Sequence, residues 1–250
     1  TGDITIGAVT GGSNSLTLST GDNVANTDIT ASGAISGVTT LTLADVGGTA
    51  TLSADVDVTT LTVGSTVANV AITGSGSSVT NAVTVGNDGT LTIGDASGDS
   101  FTFNGGLTVS TASSTLAGSI DSSNDVMTFG AVTLAAATTL DSNATNTTGD
   151  ITIGTVTGSN NNLTLDTTTT TGSASHTFNG DINLGSGALN VTGDVVLGAN
   201  VDVTATGGIV FNDAINADNA SSTDRTLALS SGTGSTPSVV GTIGTSRALA

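Results

Sequence analysis

A three-residue unit recurs along the whole chain: an apolar residue, then threonine or another small polar residue, then a second apolar residue. Examples are Ile4-Thr5-Ile6, Leu41-Thr42-Leu43, Leu107-Thr108-Val109 and Ile151-Thr152-Ile153. Because the side chains of a strand alternate between its two faces, the outer residues of each unit point one way and the middle residue points the other. Each unit therefore predicts a short β-strand with one dry face and one wet face.

The composition favours strands over helices, because Glu, Lys and Gln are absent and β-branched residues and turn formers dominate. Single strands of this length do not make a stable sandwich, but they can stack in register as successive coils of roughly 20 to 25 residues. The pattern predicts an all-β fold, a right-handed parallel β-solenoid (β-helix) of short strands with about ten coils and no α-helical domain. Residues 1–250 are expected to form one continuous solenoid, and at ~4.8 Å per coil it is a rod of about 50 Å.

One 20-residue segment occurs twice. Residues 1–20 read TGDITIGAVTGGSNSLTLST, and residues 148–167, offset by 147, read TGDITIGTVTGSNNNLTLDT, with fifteen identical positions. A solenoid explains why such a plain segment is repeated, since a coil needs only inward apolar residues, outward polar ones and glycine at its corners. The offset predicts a higher-order period several coils long.

The charge balance excludes several classes of partner. The twenty acidic residues are all aspartates, the two basic ones are Arg225 and Arg247, and the net charge is −18. Such a surface repels phosphate backbones and anionic lipid head groups, which argues against nucleic-acid and peripheral membrane binding. No apolar run is long enough for a membrane span, and the absence of cysteine excludes a disulfide framework.

The residues available for catalysis are few, and we expect a protein that is not an enzyme. The single histidine, His176, has no cysteine or second histidine to share a metal or a triad, so we interpret it as an inward or corner strand residue. Aspartate pairs such as Asp55 with Asp57 would suit a polysaccharide-cleaving β-helix. The chain lacks the basic and aromatic residues that bind sugars in such a site, so a polysaccharide-binding or -cleaving protein is the least favoured alternative.

Calcium is the one cofactor that the loops suggest. Several loops concentrate carboxylate and amide oxygens, and the candidate ligands are Asp22, Asp28, Asp88, Asp95, Asp99, Asp121 and Asp125. None of these loops matches an EF-hand or a glycine-rich calcium nonapeptide. Aspartate is also a common turn residue, and this second interpretation is the favoured one.

The outward threonines give another hypothesis. Stacked coils would align them into ladders, and a flat array of threonines can order water as an ice-binding surface does. The irregular lengths of the loops argue against the long flat face that this function needs. Threonine is also an ordinary residue for an exposed strand position, so ice binding stays an alternative.

Several segments resemble a family. GDITIGAVTG, NSLTLSTGDN, FTFNGGLTVS, ATGGIVFNDAIN and RTLALSSGTG are similar to the β-strand repeats of giant bacterial surface proteins of the filamentous haemagglutinin and large adhesin type. The resemblance covers nearly the whole chain and is one of style and composition. It implies a secreted, elongated protein at the cell surface that builds fibres or mediates attachment to a receptor or glycan.

The ends of a solenoid expose unpaired backbone groups and apolar side chains, and neither terminus of this sequence carries an amphipathic helix or a charged capping segment. We therefore expect the ends to be covered by more solenoid, either from a longer chain or from another copy stacked head to tail. The main hypothesis is an extracellular structural protein, the subunit of a surface filament or the stalk of an adhesin.

Overall fold

The computed structural model describes residues 2–21, 24–110, 113–142, 148–168, 174–218, 225–244 and 247–249. These residues form 27 β-strands and no helix. The first nine are β1 (Ile4–Ile6), β2 (Val9–Ser19), β3 (Ile29–Ala31), β4 (Ile35–Ala44), β5 (Thr49–Leu52), β6 (Val56–Val63), β7 (Asn69–Ile72), β8 (Ser77–Val79) and β9 (Val83–Val85). The next nine are β10 (Thr90–Ile93), β11 (Ser100–Phe103), β12 (Leu107–Val109), β13 (Ser113–Ser122), β14 (Met127–Phe129), β15 (Ala131–Asp141), β16 (Ile151–Ile153), β17 (Val156–Thr157) and β18 (Leu163–Asp166). The last nine are β19 (Ser175–Phe178), β20 (Ile182–Gly185), β21 (Ala188–Thr192), β22 (Asp194–Leu197), β23 (Val201–Ala205), β24 (Gly208–Phe211), β25 (Ile215–Ala217), β26 (Leu227–Ser231) and β27 (Ser238–Val239).

The strands stack into three columns, so that the solenoid has three faces. Face A consists of β1, β3, β5, β7, β10, the first half of β13, the first half of β15, β17, β20, β23 and β26. Face B consists of the first halves of β2, β4 and β6, then β8, β11, the second halves of β13 and β15, β18, β21, β24 and β27. Face C consists of the second halves of β2, β4 and β6, then β9, β12, β14, β16, β19, β22 and β25.

All of the strand pairs between described residues are parallel, and each coil pairs with the coil before and after it. The length of a coil varies: Ser114 pairs with Val132, 18 residues later, and Val156 pairs with Ile182, 26 residues later. The described residues complete about ten coils and begin another. The predicted parallel β-solenoid is therefore confirmed.

The outer residues of the triplets fill the interior. All five phenylalanines have almost no exposed surface, and they pack among inward Ile, Leu and Val side chains that run through the stack as one cluster. The rings of Phe178 and Phe211 lie 6.3 Å apart between centroids, at an angle of 49°. Because each inward residue is covered by the coils on both sides, the core is continuous along the axis.

Some corners are loops and others are bends within one strand. In β13 the register shifts between Leu116 and Gly118, where the strand turns from face A to face B. Gly118 has φ +77°, and a Cβ at this position would overlap the backbone of Asp99 in the coil below. Glycine is needed there for both its conformation and its size.

The two copies of the repeat occupy different faces. Ile4-Thr5-Ile6 forms β1 on face A, whereas its copy Ile151-Thr152-Ile153 forms β16 on face C. The later elements of the repeat are shifted in the same way, from face B to face A and from face C to face B. An offset of 147 residues therefore does not correspond to a whole number of coils, and the repeated building unit is the strand with its corner.

Candidate functional site

A ladder of threonines runs along face A. The central residues of the triplets on this face point outward, and pairing places them one above another. In order along the axis they are Thr5, Thr30, Thr51, Ala71, Thr92, Thr115, Thr133, Thr157, Asn183 and Thr204. Ala71 and Asn183 are its two interruptions.

Face C carries a second ladder. Thr17, Thr42 and Thr62 pair in successive coils, and so do Thr84, Thr108, Thr128, Thr152 and Thr177. Between the two groups, β6 contacts β9. Val196 and Asn216 follow at the far end.

The irregular loops do not interrupt the pairing from Thr84 to Thr177 on face C or from Thr92 to Thr157 on face A. The differences in length lie at the corners. The segment between β18 and β19 connects face B to face C. Thr152 and Thr177, which precede and follow this segment in the chain, are nevertheless direct ladder partners. All threonines of both ladders are exposed or half-exposed. Their hydroxyl groups make no hydrogen bond to another described residue, so they are available to solvent or to a ligand.

Face B differs from the other two because it carries stacked carboxylates. Asp121, Asp141 and Asp166 are outward residues of three successive coils and are direct ladder partners. Burial raises the pKa of the Asp121 carboxyl, and the hydrogen bond that the Ser119 hydroxyl donates to it works in the opposite direction. Asp141 and Asp166 were not among the sequence candidates. The signal was present, because an Asp placed two residues after an outward Thr, as in LTLD, must lie on the same outer face.

Corner aspartates and asparagines hold neighbouring coils together. Before face A, Asp3 Oδ1 accepts a hydrogen bond from the Asp28 amide at 2.9 Å, and Asp28 Oδ1 accepts one from the Thr49 amide at 2.7 Å. Before face C, Asp150 Oδ1 accepts one from the Ser175 amide at 2.7 Å. These oxygens satisfy backbone donors of the next coil, which gives a structural reason for the abundance of Asp and Asn at corners.

The structure brings only some of the calcium candidates together. Asp95 and Asp99 share one loop, where Asp99 Oδ2 accepts hydrogen bonds from the Asp95 and Ala96 amides at 2.9 Å. Asp28 lies at the corner before face A, Asp88 follows β9 at another corner, and Asp125 precedes β14. Asp121 is on face B, and Asp22 lies outside the described residues. Among the residues described, no three His, Cys, Asp or Glu side chains gather closely enough to hold a metal ion.

His176 is an inward residue of face C, as the sequence predicted. It is fully buried between its ladder partners Ile151 and Val195. Its Nε2 lies 3.0 Å from the Thr192 carbonyl oxygen, which can only accept, and 3.2 Å from Thr167 Oγ1. Its Nδ1 is buried without a hydrogen-bond partner among the described residues.

Burial lowers the pKa of the His176 imidazole to about 4. The hydrogen bond to the Thr192 carbonyl and the carboxylates of Asp166, Asp150 and Asp213 raise this pKa, but by less than burial lowers it. The ring is therefore neutral at pH 7, and its environment is that of a core residue.

A shallow polar groove lies where faces B and C meet in the first coils. It has a volume of about 300 Å³, and its polar lining includes Ser13, Thr39, Asp57, Thr59 and Ser78. Its lining contains one carboxylate, Asp57, and no aromatic or imidazole side chain. A glycoside hydrolase needs two carboxylates across the scissile bond, and Asp55 does not line this groove.

The first coil is less well covered than the rest. Ile4, Ile6, Val9 and Leu16 are only partly buried, whereas their copies Ile151, Ile153, Val156 and Leu163 are between 0% and 3% exposed. At the other end Leu227, Leu229 and Val239 are partly buried, and Val240 and Ile243 are 70% and 52% exposed. Both end coils thus leave apolar side chains partly or largely exposed.

Comparison of the chain with family models, with curated proteins and with solved structures finds no match. The described part of the chain also contains no helix with the length and apolar character needed to cross a membrane. The features that bear on function are therefore the faces and ends of the solenoid themselves.

Proposed function

We propose that this chain is a rigid structural rod at the outside of a cell, as the subunit of a fibre built by end-to-end stacking or as the stalk of a large adhesin. The observation that carries the proposal is the contrast between the first coil and its copy. Ile151 and Ile153 are buried because β14 covers them on one side and β19 on the other. Ile4 and Ile6 have β3 on one side only among the described strands.

The internal copy indicates what would cover the first coil. On the side of β16 that corresponds to the uncovered side of β1 lies β14, Met127-Thr128-Phe129, a strand of the same apolar–Thr–apolar type. A coil of this kind, from the same chain or from another copy, would bury Ile4 and Ile6 and pair the free edge of β1. Contacts of this head-to-tail type extend indefinitely and build filaments, and they are not self-limiting.

The charge distribution favours end-to-end assembly of the rods over their side-by-side association. The net charge is −18, and Asp57, Asp121, Asp141 and Asp166 all point outward on face B. Rods side by side would therefore repel one another, whereas the end coils offer apolar side chains and, at β1, a strand edge with no partner among the described strands. The likeness in style to filamentous haemagglutinin-type repeats supports the extracellular placement.

Electron microscopy of the purified chain tests the proposal, with calcium and again with a chelator. We expect rods joined end to end. If the chelator separates the rods, calcium binds at the contact between them. Ile6→Asp puts a charge on the open coil and should leave single rods. Thr133→Asp adds the same charge to the middle of face A and should leave the joints intact. Single rods for all three proteins would contradict the fibre and leave the stalk, and particles that are not rods would contradict both.

A further inference from the structure

We propose that face C is an ice-binding surface, with Thr84, Thr108, Thr128, Thr152 and Thr177 as its central rank and Thr17, Thr42 and Thr62 as its extension. This function goes beyond that of a structural rod and does not depend on it. It rests on the ladder geometry, on the unbonded hydroxyls and on the charge of the three faces.

The ladder repeats one chemical group at one spacing. Parallel pairing sets successive coils ~4.8 Å apart, so the five regularly paired threonines span about 19 Å and the three of the extension span about 10 Å. Each step presents a methyl group and a hydroxyl group. A ligand that matches this array must itself be periodic along one direction, as the surface of a crystal is.

The hydroxyl groups are free to bind such a lattice. None of them makes a hydrogen bond to another described residue, and all are exposed or half-exposed. A hydroxyl both donates and accepts, so it can replace a water molecule in a hydrogen-bonded network, while the methyl group fills the space between waters. Threonine supplies both groups on a side chain with few rotamers.

Charge argues against face B, and the length of the unbroken threonine run favours face C over face A. In coils containing Thr84 to Thr177, the residues two positions before each ladder threonine are Ala82, Gly106, Val126, Asp150 and Ser175, with a single carboxylate. That carboxylate, Asp150, already accepts the Ser175 amide. In the same coils the corresponding positions of face A carry no carboxylate, but its longest unbroken run is four threonines, Thr92, Thr115, Thr133 and Thr157, against five on face C. Face B carries the stacked aspartates.

Neutrality also argues for an uncharged ligand. A second copy of this chain would bring a net charge of −18 toward the same surface, and an anionic polysaccharide would be repelled in the same way. Ice is neutral and regular.

The face is held rigid from within. The inward residues that precede the ladder threonines are Val83, Leu107, Met127, Ile151 and His176, and all are 2% exposed or less. These side chains stack on one another from coil to coil, so the outward threonines keep their spacing without a ligand. Preorganisation of this kind lowers the cost of binding a rigid partner.

The test compares two matched double variants of the full chain in the same two coils. Thr108→Tyr with Thr128→Tyr places bulky side chains on face C, and Thr92→Tyr with Thr115→Tyr places them on face A. Tyrosine is well tolerated at exposed strand positions, and circular dichroism melting checks that both variants fold. The readouts are thermal hysteresis, ice-crystal shape and incorporation of dye-labelled chain into growing ice. The chain has no lysine, so an amine-reactive dye labels the N-terminus alone.

We expect the wild-type chain and the face A variant to shape ice, to show thermal hysteresis and to enter ice, and the face C variant to lose all three. A wild-type chain that is excluded from ice overturns the proposal. So does a face C variant with undiminished activity, or equal losses in both variants.

Discussion

Ile4 and Ile151 hold the same place in a repeated 20-residue segment, yet Ile4 lies on face A of the solenoid and Ile151 lies on face C. The same segment therefore serves at any face, provided that inward residues are apolar and the corners can turn. The two residues also differ in cover, because Ile151 is fully buried and Ile4 is not. A comparison of these two residues therefore separates the effect of position along the rod from the effect of local sequence.

Replacing these two isoleucines by alanine should have unequal effects. Ile151→Ala removes a side chain packed between Met127 and His176 and should cost about 3 kcal/mol of unfolding free energy. Ile4→Ala affects a half-covered end coil and should cost less than about 1 kcal/mol. Urea unfolding followed by circular dichroism measures both, with Thr152→Ala as the outward control. Equal costs would contradict the different burial of the two copies.

His176 should make stability depend on pH. Its folded-state pKa of about 4 lies below its ordinary value of 6.5, so between these values the unfolded chain binds more protons than the folded one. Stability should be at its full level above pH 6.5, fall as the pH drops toward 4, and change no further through this group below that. The total effect is about 3 kcal/mol.

His176→Leu provides the comparison for this prediction, because its ladder neighbours Ile151 and Val195 are aliphatic. The difference in unfolding free energy between the two proteins, measured from pH 4 to pH 8, isolates the histidine from the titration of the many aspartates. A difference that stays constant over this range would show that His176 is not buried as described.

Asp28 should stabilise the corner through its hydrogen bond and without calcium. Its Oδ1 accepts the Thr49 amide at 2.7 Å, so Asp28→Ala should lose about 1 kcal/mol, and Asp28→Asn, which keeps an acceptor oxygen, should lose less. Thermal melts with calcium and with a chelator give the comparison. A calcium-dependent melting temperature that is lost in Asp28→Asn would instead identify Asp28 as a metal ligand.

Removing the middle charge of the face B ladder should stabilise the rod. Asp141 has Asp121 and Asp166 as direct partners, and like charges that face each other across strands are unfavourable. Asp141→Asn should add about 0.5 kcal/mol at low salt, and the gain should vanish at about 0.5 M salt. Asp57→Asn, whose ladder neighbours are Ser36 and Ser78, is the control. A gain of the same size in both variants would point to net charge alone.

The sequence predicted the strands and the inward residues well, because both depend on a local alternation. Leu107-Thr108-Val109 forms β12 with two buried ends and an exposed middle, as its pattern requires. Which face a triplet occupies was not predictable, because it depends on how many residues each earlier corner takes. For the same reason, the sequence does not show which residues of successive coils are ladder partners, and the aspartates stacked on face B were found only from the strand register of the structure.

The in-register three-faced solenoid is the claim on which every other conclusion rests, and distances between spin labels test it most directly. The chain has no cysteine, so cysteine pairs can be placed freely along face A. Thr30 and Thr133 are five coil steps apart, and Thr30 and Thr204 are eight, so the labels should lie about 24 Å and about 38 Å apart. Distances that grow by ~4.8 Å per coil would confirm the stack, and distances unrelated to the number of coils would contradict it.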